Sequence, residues 1–112
     1  PAEHALRERS LIEVQQKLSA AYAKIGDEAA AQSYAAQAQE AFDRRLSAGA
    51  DDPFTRYYAA ALAAGRADID GVLTHLALPL AALGPFTRWR LPRDPDFRGV
   101  LADARMASLV GT

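Results

Sequence analysis

A glycine-aspartate pair between two segments of helical periodicity constrains the fold of this chain most. Around Gly26 and Asp27, apolar residues recur every three or four positions, at Leu11, Val14, Leu18, Tyr22 and Ile25 before the pair and at Ala31, Tyr34, Ala35, Ala38 and Phe42 after it. This spacing predicts two helices with one apolar face each. Gly26 can adopt the left-handed conformation that ends a helix, and Asp27 can accept hydrogen bonds from the first amides of the next. Because the connection is so short, the second helix must run antiparallel to the first.

Similar signals divide the rest of the chain into shorter helices. Asp52 and Pro53 form a helix start, because proline at the first helical position loses no hydrogen bond. Pro79 lies within a later helical pattern and predicts a kink there. The expected helix stops are Gly65 and the pair Gly84-Pro85. We expect one domain over residues 1–112, with hairpins over about 2–25 and 28–47 and over about 53–64 and 69–83, and a closing segment over 86–110.

The composition favours helix throughout. Alanine is abundant and is the best helix former, whereas valine, isoleucine and threonine are sparse. No stretch alternates polar and apolar residues for long, as a half-buried strand would. With 112 residues the chain is long enough for one modest core. The predicted fold class is therefore all-α.

Charge and composition exclude several classes of partner. The formal net charge is -1, with both signs mixed along the chain, so we expect neither nucleic acid nor a membrane as a partner. Cysteine is absent, which excludes disulfides and thiolate chemistry.

No signal peptide is visible, and a cytoplasmic location is our expectation. The chain opens at Pro1, and its basic residues are almost all arginine, so we expect part of a larger bacterial protein.

Two sequence features could suggest a metal site, and both have simpler interpretations. His75 has no second histidine or carboxylate at ligand spacing, so we interpret it as an ordinary helix histidine. The segment Asp68-Ile69-Asp70-Gly71 resembles part of a calcium loop. With Gly71 at the sixth position, however, Arg66 and Ala77 take the first and twelfth positions, which require carboxylates. Helix capping is a sufficient role for this segment, and no metal site is expected.

The sequence also predicts no catalytic residue and no cofactor. Asp94 and Asp96 could be taken for a catalytic pair, but flanking a proline they more naturally cap a helix. No nucleophile elbow, phosphate-binding glycine loop or nucleophile-base pair is present. The roles needed for catalysis are therefore not filled, and we expect a protein that is not an enzyme.

A cluster of arginines around the only tryptophan allows two interpretations. The cluster consists of Arg88, Arg90, Arg93 and Arg98 around Trp89. Guanidinium groups beside an aromatic ring could bind phosphate or an acidic peptide. In the interpretation that we favour here, Trp89 is a core residue over the last hairpin. The arginines are then a solvated rim that pairs with Asp94, Asp96 and Asp103.

The pattern of turn and small residues resembles the tetratricopeptide repeat. The matching residues are Leu18, Tyr22, Gly26, Ala31, Ala38 and Asp52-Pro53. Gly65 holds the place of the turn glycine in a second, weaker unit, and the segment from Gly84 to Arg105 is similar to the closing segment of bacterial arrays. The resemblance covers about residues 11–110 and implies hairpins stacked as a short right-handed array. Single hairpins are also too small to bury their own apolar faces, which favours stacking.

The resemblance implies a binding groove, since the first helix of each tetratricopeptide repeat lines the concave surface. The implied groove residues are Glu13, Gln16, Lys17, Lys24, Thr55, Arg56 and Ala59. The chain contains no asparagine, so the family's clamp for a terminal carboxylate cannot be complete. Lys17, Lys24 and Arg56 could still attract an acidic segment.

We therefore predict a non-catalytic protein-interaction or assembly module that binds a protein or peptide. The alternative is a structural segment that self-associates and serves as the dimerisation part of an attached catalytic or DNA-binding domain.

Overall fold

The computed structural model describes residues 2–110, with side chains except those of residues 2–6 and 8. Over this range the chain contains helices and turns and no strand, which confirms the all-α class. The α-helices are α1 (Ala2–Lys24), α2 (Glu28–Ser47), α3 (Pro53–Gly65), α4 (Ile69–Ala82), α5 (Gly84–Arg90) and α6 (Ala104–Val110). Two 3-10 turns, Leu91–Arg93 and Pro95–Phe97, lie between α5 and α6. Among these helices, none has the length and apolar character needed to cross a membrane.

The chain divides into two compact units, the first ending at Asp51 and the second beginning at Asp52. Helices α1 and α2 form the first unit. Helices α3 to α6 and the two 3-10 turns form the second.

The turn of the first unit has the geometry expected from Gly26 and Asp27. Gly26 has a φ of 87°, in the left-handed region that glycine tolerates best. The amide of Asp27 donates to the carbonyl of Tyr22 at 2.9 Å, and the amide of Gly26 donates to that of Ala23 at 3.1 Å. These two bonds form a Schellman motif, which satisfies the last carbonyls of α1. The Asp27 carboxylate then accepts from the amide of Ala30 at 3.1 Å and so caps α2.

Helix α2 runs back along α1. Later residues of α1 contact earlier residues of α2, in the pairs Gln15–Gln37 (Nε2 to Oε1, 3.2 Å), Ser19–Ala31 (Oγ to O, 2.8 Å) and Tyr22–Tyr34 (stacked rings, centroids 5.5 Å apart). Ala38 and Ala41 of α2 are completely buried, because alanine leaves room for close contact of the backbones.

The apolar face predicted for α1 is wrong in three positions. Leu11, Val14 and Ile25 are 42%, 53% and 76% exposed. Among the side chains of α1 that the structure describes, those of Ile12, Gln15 and Gln16 are buried instead. Glutamine takes part in this buried face because its amide can form a hydrogen bond across to α2, as Gln15 does.

Helix α3 begins at the predicted cap and ends differently from the prediction. The Asp52 carboxylate accepts from the amide of Thr55 at 2.8 Å and from its hydroxyl at 2.7 Å, with Pro53 in the first turn. At the other end, Gly65 belongs to the helix and is not the turn residue. The left-handed residue is Ala67, with a φ of 56°, and the following Asp68 caps α4 through the amide of Gly71 at 3.0 Å.

The core of the second unit lies between α3, α4 and the closing segment. Fully buried apolar side chains come from all three: Ala60, Val72, Leu76, Leu91, Phe97 and Met106. Pro79 lies within α4 and is buried, and its carbonyl accepts from the amide of Leu83 at 2.8 Å. The pair Gly84-Pro85 opens α5 instead of ending α4, since proline suits the first turn of a helix.

Candidate functional site

Helix α5 has one buried face and one exposed face. Thr87 and Leu91, four residues apart, are buried, and the Thr87 hydroxyl donates to the carbonyl of Pro79 at 3.1 Å. Phe86 and Trp89 point away from this anchor and are 49% and 56% exposed. Arg93 in the following 3-10 turn continues the exposed face. The spacing of these three residues, by three and then four, places them on one side of a helical segment.

The exposed side chains of α5 contact one another in a fixed arrangement. The rings of Phe86 and Trp89 stack, with centroids 6.1 Å apart and planes 22° from parallel. The Arg93 guanidinium carbon lies 4.7 Å from the centre of the Trp89 ring, and Nη1 of Arg93 donates to the Trp89 carbonyl at 2.6 Å. We call Phe86, Trp89 and Arg93 the Trp89 surface. A cation over an exposed indole contributes about 0.5–1 kcal/mol, so Arg93 helps to orient the ring.

The interpretation of Trp89 as a core residue is therefore wrong. Leu91 and Phe97 occupy the buried positions of this segment, and both are smaller than tryptophan. The expected pairing of the rim arginines is confirmed for Arg90 with Asp94, whereas Asp103 has a different partner. Arg90 lies 3.9 Å from Asp94, whereas Asp103 pairs at 3.3 Å with Arg105, which also reaches Asp70 at 2.8 Å.

A buried polar cluster holds the segment behind the Trp89 surface against α3. The hydroxyl of Tyr57 donates to Oδ2 of Asp94 at 2.7 Å, and both residues are buried. The guanidinium carbon of Arg90 lies 4.0 Å from the centre of the Tyr57 ring. The other carboxylate oxygen of Asp94 accepts from the amide of Asp96 at 3.0 Å and caps the second 3-10 turn. One carboxylate thus links α3 to the second 3-10 turn.

The pKa values of this cluster reflect its burial and its charges. Burial, followed by the hydrogen bond to Asp94, raises the pKa of Tyr57 far above its usual value, so its hydroxyl remains a donor. Burial by itself would lower the pKa of Arg90, but the hydrogen bond to Tyr58 and the nearby Tyr57 and Asp94 raise it overall. Arg90 is therefore a permanent cation in this cluster.

Exposed arginines occur in the segment that carries the Trp89 surface. Arg88, Arg93 and Arg98 are exposed. The aspartates of this segment are less accessible, because Asp94 is buried and Asp96 is half-buried. The arrangement therefore presents two apolar rings next to the exposed guanidinium group of Arg93, and a guanidinium can bind a carboxylate through two parallel hydrogen bonds.

The structure makes only part of the groove implied by the sequence accessible. Gln16 belongs to the first unit, and Thr55 and Ala59 belong to the second. All three are buried, so they cannot offer side-chain atoms to a partner; the Thr55 hydroxyl is bonded to Asp52. The remaining groove residues are Glu13, Lys17 and Lys24, which are exposed, and Arg56, which is half-buried. Their role in binding stays a prediction.

The other side chains singled out in the sequence have structural contacts. Nη1 of Arg56 lies 3.1 Å from Nδ1 of His75, and because a guanidinium only donates, this ring nitrogen is the acceptor. Asp68 caps α4, and a Cβ atom at Gly71 would collide with its carboxylate, which explains the glycine there. Among the residues that the structure describes, no group of three or more metal-ligating side chains is present.

The Trp89 surface is indicated by the sequence pattern, whereas the Tyr57–Asp94 bond, between residues 37 apart, is not. The spacing of Phe86, Trp89 and Arg93 is offset from that of Thr87 and Leu91, which indicates two faces of a helix.

The chain has no significant match among protein-family models, curated proteins or solved structures.

Proposed function

We propose that this protein is a non-catalytic protein-interaction module that binds a partner protein through the Trp89 surface. The observation that supports this proposal is the pair of stacked, half-exposed rings of Phe86 and Trp89 with Arg93 against them. Tryptophan and arginine are among the residues that contribute most to binding at protein interfaces. Covering both rings would remove a large apolar area from water, which is the main favourable term in association.

The anchoring of α5 supports the same role. Thr87 and Leu91 fix its inner face, and Arg90 lies over the ring of Tyr57. The backbone that carries the stacked rings therefore has little freedom to lose when a partner binds. Preorganised side chains bind more tightly because less conformational entropy is lost on association.

The charges around the rings suggest the chemistry of the partner. Arg93 lies against the aromatic pair, and Arg88 and Arg98 are exposed in the same segment of the chain. We infer an acidic segment of a protein with an apolar side chain that covers the rings. The net charge of -1 lacks the broad positive excess on which nucleic-acid affinity depends.

We further propose that the helices form a tetratricopeptide-like array. Support comes from the equivalent turns of the two units, Gly26-Asp27 and Ala67-Asp68. In each, a left-handed residue is followed by an aspartate whose carboxylate accepts from the amide three residues later. Such repetition of a turn is typical of helical repeats.

Site-directed photo-crosslinking tests the binding surface. Phe86 is replaced by benzoylphenylalanine in the full chain, and Ala77, exposed on α4, is replaced in a matched control. We expect one protein to crosslink from position 86 and not from position 77, and Arg93→Glu to remove this crosslink. Equal crosslinking from both positions, or a crosslink unaffected by Arg93→Glu, would contradict the proposal.

The alternative of a dimerisation segment would use the exposed apolar residues of α1. Leu11, Val14 and Ile25 would be covered if two copies of the chain met along α1. Light scattering separates the two functions. A monomer supports the interaction module, whereas a stable dimer that dissociates on Val14→Asp supports the alternative.

A further inference from the structure

Helix α1 carries a second apolar stripe that α2 does not use. The stripe consists of Leu11, Val14, Leu18, Ala21 and Ile25, which we call the α1 seam. Its spacings of three, four, three and four are those of the a and d positions of a heptad. Leu18 is half-buried and the other four residues are exposed.

The α1 seam and the contact with α2 lie on different sides of the helix. Ile12 is buried, and Gln15 and Ser19 form hydrogen bonds to α2. At about 100° per residue, Ile12 and Ser19 are roughly a third of a turn away from the centre of the seam. Helix α1 therefore has room for a further helix beside α2.

Basic residues border the α1 seam. Lys17 and Lys24, seven residues apart, are exposed along the edge that faces away from Ser19. Arg7 is exposed and continues the line of the seam four residues before Leu11. Among the side chains of α1 that the structure describes, Glu13 is the exposed anion nearest to this edge. It lies further round the helix and four residues before Lys17.

We propose that the α1 seam binds an amphipathic helix of a partner protein that carries acidic residues seven apart along one flank. The apolar residues of the partner would pack between those of the seam, and its carboxylates would face Lys17 and Lys24. A second copy of this chain in antiparallel orientation would instead bring lysine edges together, which like-charge repulsion disfavours. The sequence resemblance places these lysines in a concave groove; here they border a helix-docking face. The proposal does not rest on the Trp89 surface.

Binding of designed peptides to the full chain tests this proposal. The first probe is a three-heptad helix with leucine at its a and d positions and glutamate on both flanks, and the second has lysine in place of every glutamate. We expect the acidic peptide to bind at least about tenfold more tightly, by fluorescence anisotropy. Val14→Asp should weaken binding at least about tenfold because it places a charge within the apolar contact. Ala36→Asp, at an exposed position of α2, is the matched control and should have no effect.

Two further variants complete the experiment. Lys17→Glu combined with Lys24→Glu should reverse the preference between the peptides, and Trp89→Ala should leave it unchanged. Equal affinity for both peptides, or no binding, would overturn the proposal. It would also be overturned if the chain alone formed a dimer that Val14→Asp dissociates. Binding to vesicles of anionic lipid with loss on Val14→Asp, and none to the acidic peptide, would assign the seam to a membrane surface instead.

Discussion

The hydroxyl of Tyr57 and the carboxylate of Asp94, 37 residues apart in the chain, are joined by a buried hydrogen bond of 2.7 Å. Tyr57 belongs to α3, and Asp94 precedes the second 3-10 turn. Because Asp94 also caps that turn and lies 3.9 Å from Arg90, this bond connects α3 to the segment that carries Trp89. The position of the proposed binding surface therefore depends on a contact within the core.

Tyr57→Phe should destabilise the second unit. The substitution removes the hydroxyl and leaves a buried carboxylate oxygen of Asp94 without this donor, which costs about 1–3 kcal/mol. Urea unfolding followed by circular dichroism measures the change. Tyr34→Phe is the matched control, since the Tyr34 ring stacks on Tyr22 and needs no hydroxyl to do so. Equal losses in the two variants would contradict the importance of the Tyr57–Asp94 bond.

The raised pKa of Tyr57 predicts loss of stability in alkali. Below about pH 10 the tyrosine is protonated in both folded and unfolded states, and its full contribution is present. Above that pH the unfolded chain loses the proton while the folded chain keeps it, so the free energy of unfolding falls by up to about 1.4 kcal/mol per pH unit. Unfolding by urea between pH 9 and 11 should show a steeper fall for the wild type than for Tyr57→Phe. Parallel curves would show that Tyr57 ionises normally in the folded state.

Ala67→Gly should stabilise the protein. Ala67 has a φ of 56°, and a non-glycine residue in this left-handed conformation costs about 1–2 kcal/mol. Glycine relieves that strain but loses more entropy on folding, so we expect a net gain of about 0.5–1 kcal/mol. In the reciprocal variant, Gly26→Ala, the added Cβ atom has no neighbouring atom within 4 Å, but alanine has the same backbone strain at a positive φ. Thermal unfolding should move up for the first variant and down for the second, and shifts of equal sign would refute the comparison of the two turns.

Trp89→Ala should change stability little. The side chain is 56% exposed and packs on Phe86 and Arg93, which are exposed as well. We expect a loss below about 1 kcal/mol, compared with about 3–5 kcal/mol for a tryptophan removed from a core. The emission of Trp89, the only tryptophan, should also be at the long wavelengths of a hydrated indole and be quenched by acrylamide. A short-wavelength emission protected from acrylamide would place Trp89 in the core after all.

Local chemistry made some features predictable from the sequence. Gly26 with Asp27, and Asp52 with Pro53, act as turn and cap because each needs only neighbouring amides and carbonyls. The left-handed residue in the turn after α3 is not predictable, for the converse reason. Alanine seldom adopts a positive φ, so the sequence around Ala67 does not indicate this turn, and residue type alone favours Gly65.

Features that depend on packing were less predictable. Helix α1 has two stripes of apolar residues, and only the contacts of Gln15 and Ser19 with α2 show which one is buried. The size and apolarity of Trp89 suggested a core residue, but the smaller Leu91 takes the buried position of that segment. The groove implied by resemblance placed Thr55 at a surface, whereas its hydroxyl is bonded to the cap of its own helix.

The most direct test of the proposed function is the affinity of the crosslinked partner for the purified chain. Titration followed by the emission of Trp89 should show a shift to shorter wavelength as the indole leaves water. Trp89→Ala, measured by calorimetry, should weaken binding at least about tenfold, the effect of losing a dominant contact residue. An unshifted emission together with equal affinities of the wild type and Trp89→Ala would contradict the proposal that this surface binds the partner.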